Sequence, residues 1–232
     1  MRPLLALLIA LGPAVARAAD GPHSVNWGQG DPGAVHAVFE KVGNGAKREK
    51  YARDNQGWFS KLIGRDPSIE AKVELSKDYL PDDSPAVAGK DENGDPVVKV
   101  GRAALDATQS EGEMAFLLGH ELHHTLVRAR KRECLQRGRA KFPSETMFRY
   151  SPEVRKYQVD LEREADAWGQ RYAANAGYNP LAAVDVTRHV GDLSEALGAD
   201  PSADGDHEAS ALREERLKGF GAGALSEAAC PW

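Results

Sequence analysis

Residues 114–130, MAFLLGHELHHTLVRAR, place His120, Glu121, His123 and His124 inside an apolar run. Burying so many polar groups is costly unless each finds a partner. On a helix, His120 and His124 lie four residues apart and about 40° apart around the axis, so both imidazoles reach one ion. Glu121 is adjacent in sequence and lies to one side in space. This H-E-x-x-H spacing supplies two zinc ligands and a general base. His123 points about 60° from His120, on the side away from Glu121, and is read as a packing or hydrogen-bonding residue. A zinc site with two histidines needs a third protein ligand and one open position. The stretch LEREADAWG, 161–169, offers Glu162 as that ligand. Asp166, one turn later, is placed to accept the spare ring N–H of a ligating histidine. Ala165, Gly169 and Ala173 form a small-residue stripe on the same face. It suits close packing against a helix that carries Gly119.

These residues must be held by helices, and the sequence marks where those begin and end. Ser110 with Glu113 forms a capping box that opens a helix to about Glu133. Ser151-Pro152 opens the next, running to about Asn175 ahead of Gly177. Asn179-Pro180 opens a third to about Leu197, and a fourth is expected from about His207 to Lys218, stopped by Gly219. Residues 35–63 carry a helical pattern with apolar Val35, Val38, Phe39 and Val42. Residues 68–76 alternate as a half-buried strand, and residues 86–101 read as a hairpin turning at Asn93-Gly94. Asp91, Asn93 and Asp95 imitate a calcium loop. Pro96 and Arg102, however, stand where that loop requires Gly and Glu, so the run is read as a turn.

The chain has 232 residues, 41% hydrophobic and 28% charged, which suits one domain with a sizeable core. Its formal net charge is −5, and no basic stripe stands out, so a nucleic-acid partner is not expected. Residues 1–18 combine Arg2, an apolar run from Leu4 to Leu11 and Ala16-Arg17-Ala18. They read as a secretory signal, removed to leave a single domain of residues 19–232; an uncleaved anchor is the alternative. No later segment is apolar enough to span a membrane. Export places the chain in an oxidising compartment, periplasmic or secreted. Cys134 and Cys230 are there expected either to bridge or to remain two thiols.

GHELHH at 119–124, EREADAWG at 162–169 and AGYNP at 176–180 together resemble the gluzincin metalloproteases of the CAAX prenyl protease and HtpX-like family. Soluble exported members of that family include BepA-type periplasmic proteases. The resemblance covers about residues 85–217. It implies an α+β, mainly helical, zincin-like catalytic domain with a small antiparallel sheet or hairpin beside the active-site helix. It implies one zinc per chain on His120, His124 and Glu162, with Asp166 behind them and Glu121 as the catalytic base. Val97, Val98, Lys99 and Val100 occupy the place of the family's edge strand, which offers itself to an extended polypeptide. HEASALR, 207–213, stands where the family has a His-Pro motif followed by an arginine; Glu208 replaces the proline. His207 is then either a transition-state donor, a plug for the open position or a plain helix-start residue, and Arg213 is a supporting arginine. The implied activity is hydrolysis of exported, unfolded polypeptides in protein quality control. The alternative is a latent or non-catalytic zinc-binding chaperone or assembly factor of the cell envelope.

Overall fold

Serine caps set the frame of the helical half. Ser110, Ser144 and Ser151 each accept the backbone N–H three residues on, from Glu113, Met147 and Val154, all at 3.2 Å. Such caps each contribute about 1 kcal/mol by satisfying a donor that the helix itself cannot. Glu113 completes its box by accepting from Ser110 Oγ (3.1 Å) and the Gln109 N–H (3.0 Å).

The computed structural model describes residues 34–43, 72–76, 80, 84–196, 210–220 and 227–232. Residues 34–43 form α1. Then follow β1 (Lys72–Leu75), β2 (Ala86–Lys90), β3 (Pro96–Val100), α2 (Arg102–Ala107), α3 (Glu111–Arg139), α4 (Glu145–Arg149), α5 (Pro152–Asn175), α6 (Ala182–Ala196) and α7 (Ser210–Lys218). The expected signal segment, His207, and the parts of the first helix and first strand at 44–63 and 68–71 lie outside the described residues.

The architecture is mainly helical with one small sheet. α5 spans the expected residues, opened by Ser151 and Pro152 and followed by Gly177 at φ +94°. α3 starts where expected but runs six residues past Glu133, because no breaker intervenes before Pro143. Two short helices, α2 and α4, were not anticipated.

The sheet corrects two expectations. It is mixed rather than antiparallel, with strand order β1-β3-β2. The hairpin β2–β3 is antiparallel with Gly94 at φ +86°, but β1 joins β3 in parallel. Val97–Val100 is therefore the central strand, not an edge. Its residues Val97, Val98 and Val100 are all fully buried, the continuous apolar pattern of a strand flanked on both sides. Among the described residues, β2 is the edge of the sheet on the hairpin side. Lys72 ties β1 to the turn through Asp91 (3.0 Å) and Asp95 (3.2 Å), while Asp91 Oδ1 accepts from the N–H groups of Asn93 and Asp95.

α3 packs on the sheet with one face and on α5 and α6 with others. Met114, Phe116, Leu118 and Leu122 are buried between them, each contributing about 1.5–3 kcal/mol of burial. The α3–α5 crossing is made at glycine. A Cβ on Gly119 would stand 3.0 Å from the Gly169 carbonyl oxygen, and one on Gly169 would stand 2.9 Å from the His120 nitrogen. The two backbones are in direct contact. At the far end of α3, Cys134 is disulfide-bonded to Cys230, with Cα atoms 5.7 Å apart. The Trp232 indole fills the space above Gly138 and donates to the Cys134 carbonyl at 2.7 Å.

Candidate metal centre

One turn of α3 and one of α5 supply the site. His120 Nε2 and His124 Nε2 approach to 3.1 Å. Glu162 straddles the pair, with Oε2 3.2 Å from His120 Nε2 and Oε1 3.3 Å from His124 Nε2. These three residues form a group fit to hold a metal ion. The edges of the triangle can be tested against chemistry. Ligands about 2.0–2.1 Å from a tetrahedral ion are separated by roughly 3.3 Å. The donor set fits three positions of a small tetrahedral cation, and no fourth donor joins the group among the described residues.

Asp166 fixes the imidazole that faces this triangle. It is completely buried and accepts from His120 Nδ1 at 2.8 Å, which leaves Nε2 aimed at the cluster. Arg213 binds the same carboxylate in a fork, Nε to Oδ2 at 2.9 Å and NH2 to Oδ1 at 2.6 Å, and Arg216 adds a third contact at 2.7 Å. Burial opposes the charge of Asp166, but the Arg213 guanidinium and His120 hold it well below the usual carboxylate range. Burial likewise opposes the charges of Glu162 and His120. His120 and His124 nevertheless keep Glu162 well below its usual range, while Asp166 and Glu162 push His120 up to about 10. Positive charge is strongly favoured at this point in the molecule.

Glu121 lies beside the triangle, its Oε1 4.0 Å from His120 Nε2. Its carboxyl is raised, chiefly by burial, and it accepts a hydrogen bond from the Ala88 backbone N–H of β2. The free strand edge and the candidate base are thus in contact.

No family model, curated protein or solved structure matches this chain.

The site therefore stands on its own geometry. His120, His124, Glu162, Glu121, Asp166 and Arg213 are brought together as their sequence positions suggest. Val97–Val100 reach the site only through β2. Sequence reasoning missed Arg216 and an entire second relay. His123 Nε2 meets Glu164 Oε1 at 3.0 Å, and its Nδ1 meets the Tyr172 hydroxyl at 3.2 Å. Its ring stacks on Trp168 with centroids 5.7 Å apart. Glu164 Oε2 accepts in turn from Arg130 and from the Ala228 N–H (2.8 Å). A signal was present: Glu164 lies about 200° from Glu162 around α5, on the side where α3 presents His123.

Proposed function

We propose that the protein is a zinc-dependent endopeptidase with a zincin-like site, acting on extended polypeptide segments. The observation that supports this best is the donor triangle of 3.1–3.3 Å edges with a partly buried carboxylate, Glu121, beside it but not part of it. A purely structural zinc site closes with four protein ligands and has no use for such a base. Bound zinc would supply Lewis acidity, polarising a carbonyl and lowering the pKa of water. His120, His124 and Glu162 hold it, and Asp166 with its two arginines fixes the His120 ring.

The chain's own groups account for the remaining steps. Glu121, its proton affinity raised by burial, takes a proton from the attacking water and delivers it to the leaving amine. The substrate lies along β2. The contacts Gly101 N–H to Pro85 O and Asp91 N–H to Asp95 O set the alternation of the hairpin. Residues 87 and 89 therefore bond to β3, and Ala86, Ala88 and Lys90 direct their backbone groups away from it; the Ala88 N–H is used by Glu121, so an added strand pairs with the remaining groups. An added strand there is recognised through its main chain and tolerates many side chains. That property suits turnover of unfolded exported polypeptides.

The test is hydrolysis of casein by purified protein with and without chelator, together with Glu121→Gln. The variant is expected to keep its metal and lose about 10²–10⁴-fold in rate. Undiminished hydrolysis by Glu121→Gln would overturn the reading.

A further inference from the structure

The net charge of −5 conceals an uneven distribution, and the expectation that no basic stripe is present is corrected by residues 128–156. This stretch, RARKRECLQRGRAKFPSETMFRYSPEVRK, holds ten Lys or Arg against three Glu. It forms the second half of α3, all of α4 and the start of α5, which together make the closed end of the helical hairpin. Arg130 is used by Glu164 and Glu227, Arg139 and Arg149 by Glu145, and Lys156 by Asp160. Arg128, Lys131, Arg132, Arg137, Lys141 and Arg155 have no acidic partner among the described residues. Arg128, Arg132 and Arg139 lie within about 40° of one another around α3, on its outer side.

The same end exposes apolar surface. Met147 is 56% exposed and Tyr150 is 83% exposed, both at the outer side of α4. Beneath them the rings of Phe142, Phe148 and Trp232 pack with centroids 5.6–6.2 Å apart, and the Cys134–Cys230 bridge pins the base. This end therefore combines two exposed apolar side chains with cations that have no acidic partner among the described residues, over a base held by packed rings and a disulfide.

We infer that this tip docks on an anionic lipid surface. Unpaired Lys and Arg are attracted to a negatively charged leaflet over about a Debye length, 8–10 Å at ordinary salt. An apolar anchor is the second signal that stable peripheral binding requires. Tyr suits the headgroup boundary, where its ring is buried and its hydroxyl stays wet. A nucleic acid would satisfy the cations but would leave Met147 without a role. Docking in this pose holds the metal cluster off the bilayer. His124 and Arg139 are fifteen residues apart on one helix, about 22 Å.

Flotation of the purified full chain with vesicles tests this. It is expected to bind phosphatidylcholine vesicles containing about 30 mol % phosphatidylglycerol, to ignore pure phosphatidylcholine, and to lose at least tenfold in binding between about 50 and 300 mM NaCl. The triple variant Arg128→Glu/Lys131→Glu/Arg132→Glu should lose at least tenfold on anionic vesicles with unchanged circular dichroism. Should that variant misfold, Lys141→Glu/Arg155→Glu reads the same loss from the other side of the tip. Met147→Ser/Tyr150→Ser should bind at low salt and be released at lower salt than the native chain. Anionic binding that survives both charge reversals, or equal binding to neutral vesicles, overturns the inference. So does a chain that ignores vesicles yet binds duplex DNA with a steep salt dependence.

Discussion

Two histidines three residues apart on α3 are each held by a carboxylate on α5 that is held in turn by arginine, yet they end in opposite states. His120 gives Nδ1 to Asp166, behind which stand Arg213 and Arg216, and it keeps Nε2 directed at His124 and Glu162. His123 gives Nε2 to Glu164, behind which stand Arg130 and Ala228, and gives Nδ1 to Tyr172. The first ring keeps one nitrogen directed at the cluster; the second has both nitrogens engaged elsewhere. The electrostatics follow. The carboxylates outweigh burial at His120 and raise it, whereas burial outweighs Glu164 at His123 and lowers it. A buried histidine becomes a ligand through the nitrogen its neighbours leave unused, not through burial or through a carboxylate as such.

The comparison breaks most visibly at the carboxylates. Asp166→Ala removes the carboxylate that two partly buried guanidinium groups share and frees the His120 ring. It should cost about 3–5 kcal/mol of stability and about 10–100-fold in metal affinity, read by denaturant unfolding and by competition with a chelating dye. Removing the bridge with Cys134→Ser/Cys230→Ser should cost about 2–4 kcal/mol. It loosens the segment that supplies the Ala228 N–H to the second relay, so metal affinity should stay within about twofold. Glu164→Gln should lower stability by about 1–3 kcal/mol through its unsatisfied partners while metal affinity again holds. A large loss of metal in Glu164→Gln would show that the two relays are not separate. The smallest effect is expected for Tyr172→Phe, about 1 kcal/mol on the same unfolding measurement.

The sequence exposed the first relay because its parts are short-range signals. His120, Glu121 and His124 share one helical turn, and Glu162 and Asp166 share another. The ends of α5 were equally local, fixed by Ser151, Pro152 and Gly177. The second relay depends on which face of α5 meets which face of α3, and that follows from the glycine crossing rather than from either helix. The sheet failed for a related reason. Alternation reports which side of a strand is buried but not which strand lies next to it, so the parallel pairing of β1 with β3 was out of reach. The unbroken apolar pair Val97-Val98 was the available clue that both faces of β3 are covered. The end of α3 was set too early because nothing local marks it, and Gly138, inside the helix, is a seat for Trp232.

The contact of Gly119 with Gly169 also acts as a calliper. With backbone against backbone there is no side chain at the crossing to change rotamer, so the opening between the two helices has little freedom to widen or narrow. The donor triangle inherits that fixed gauge. An ion with bonds of about 2.0–2.1 Å fits its 3.1–3.3 Å edges. Calcium, which needs six to eight oxygens at about 2.3–2.6 Å, would have to force the helices apart. Any choice of ion by radius at this triangle would then rest on two residues that carry no side chain at all.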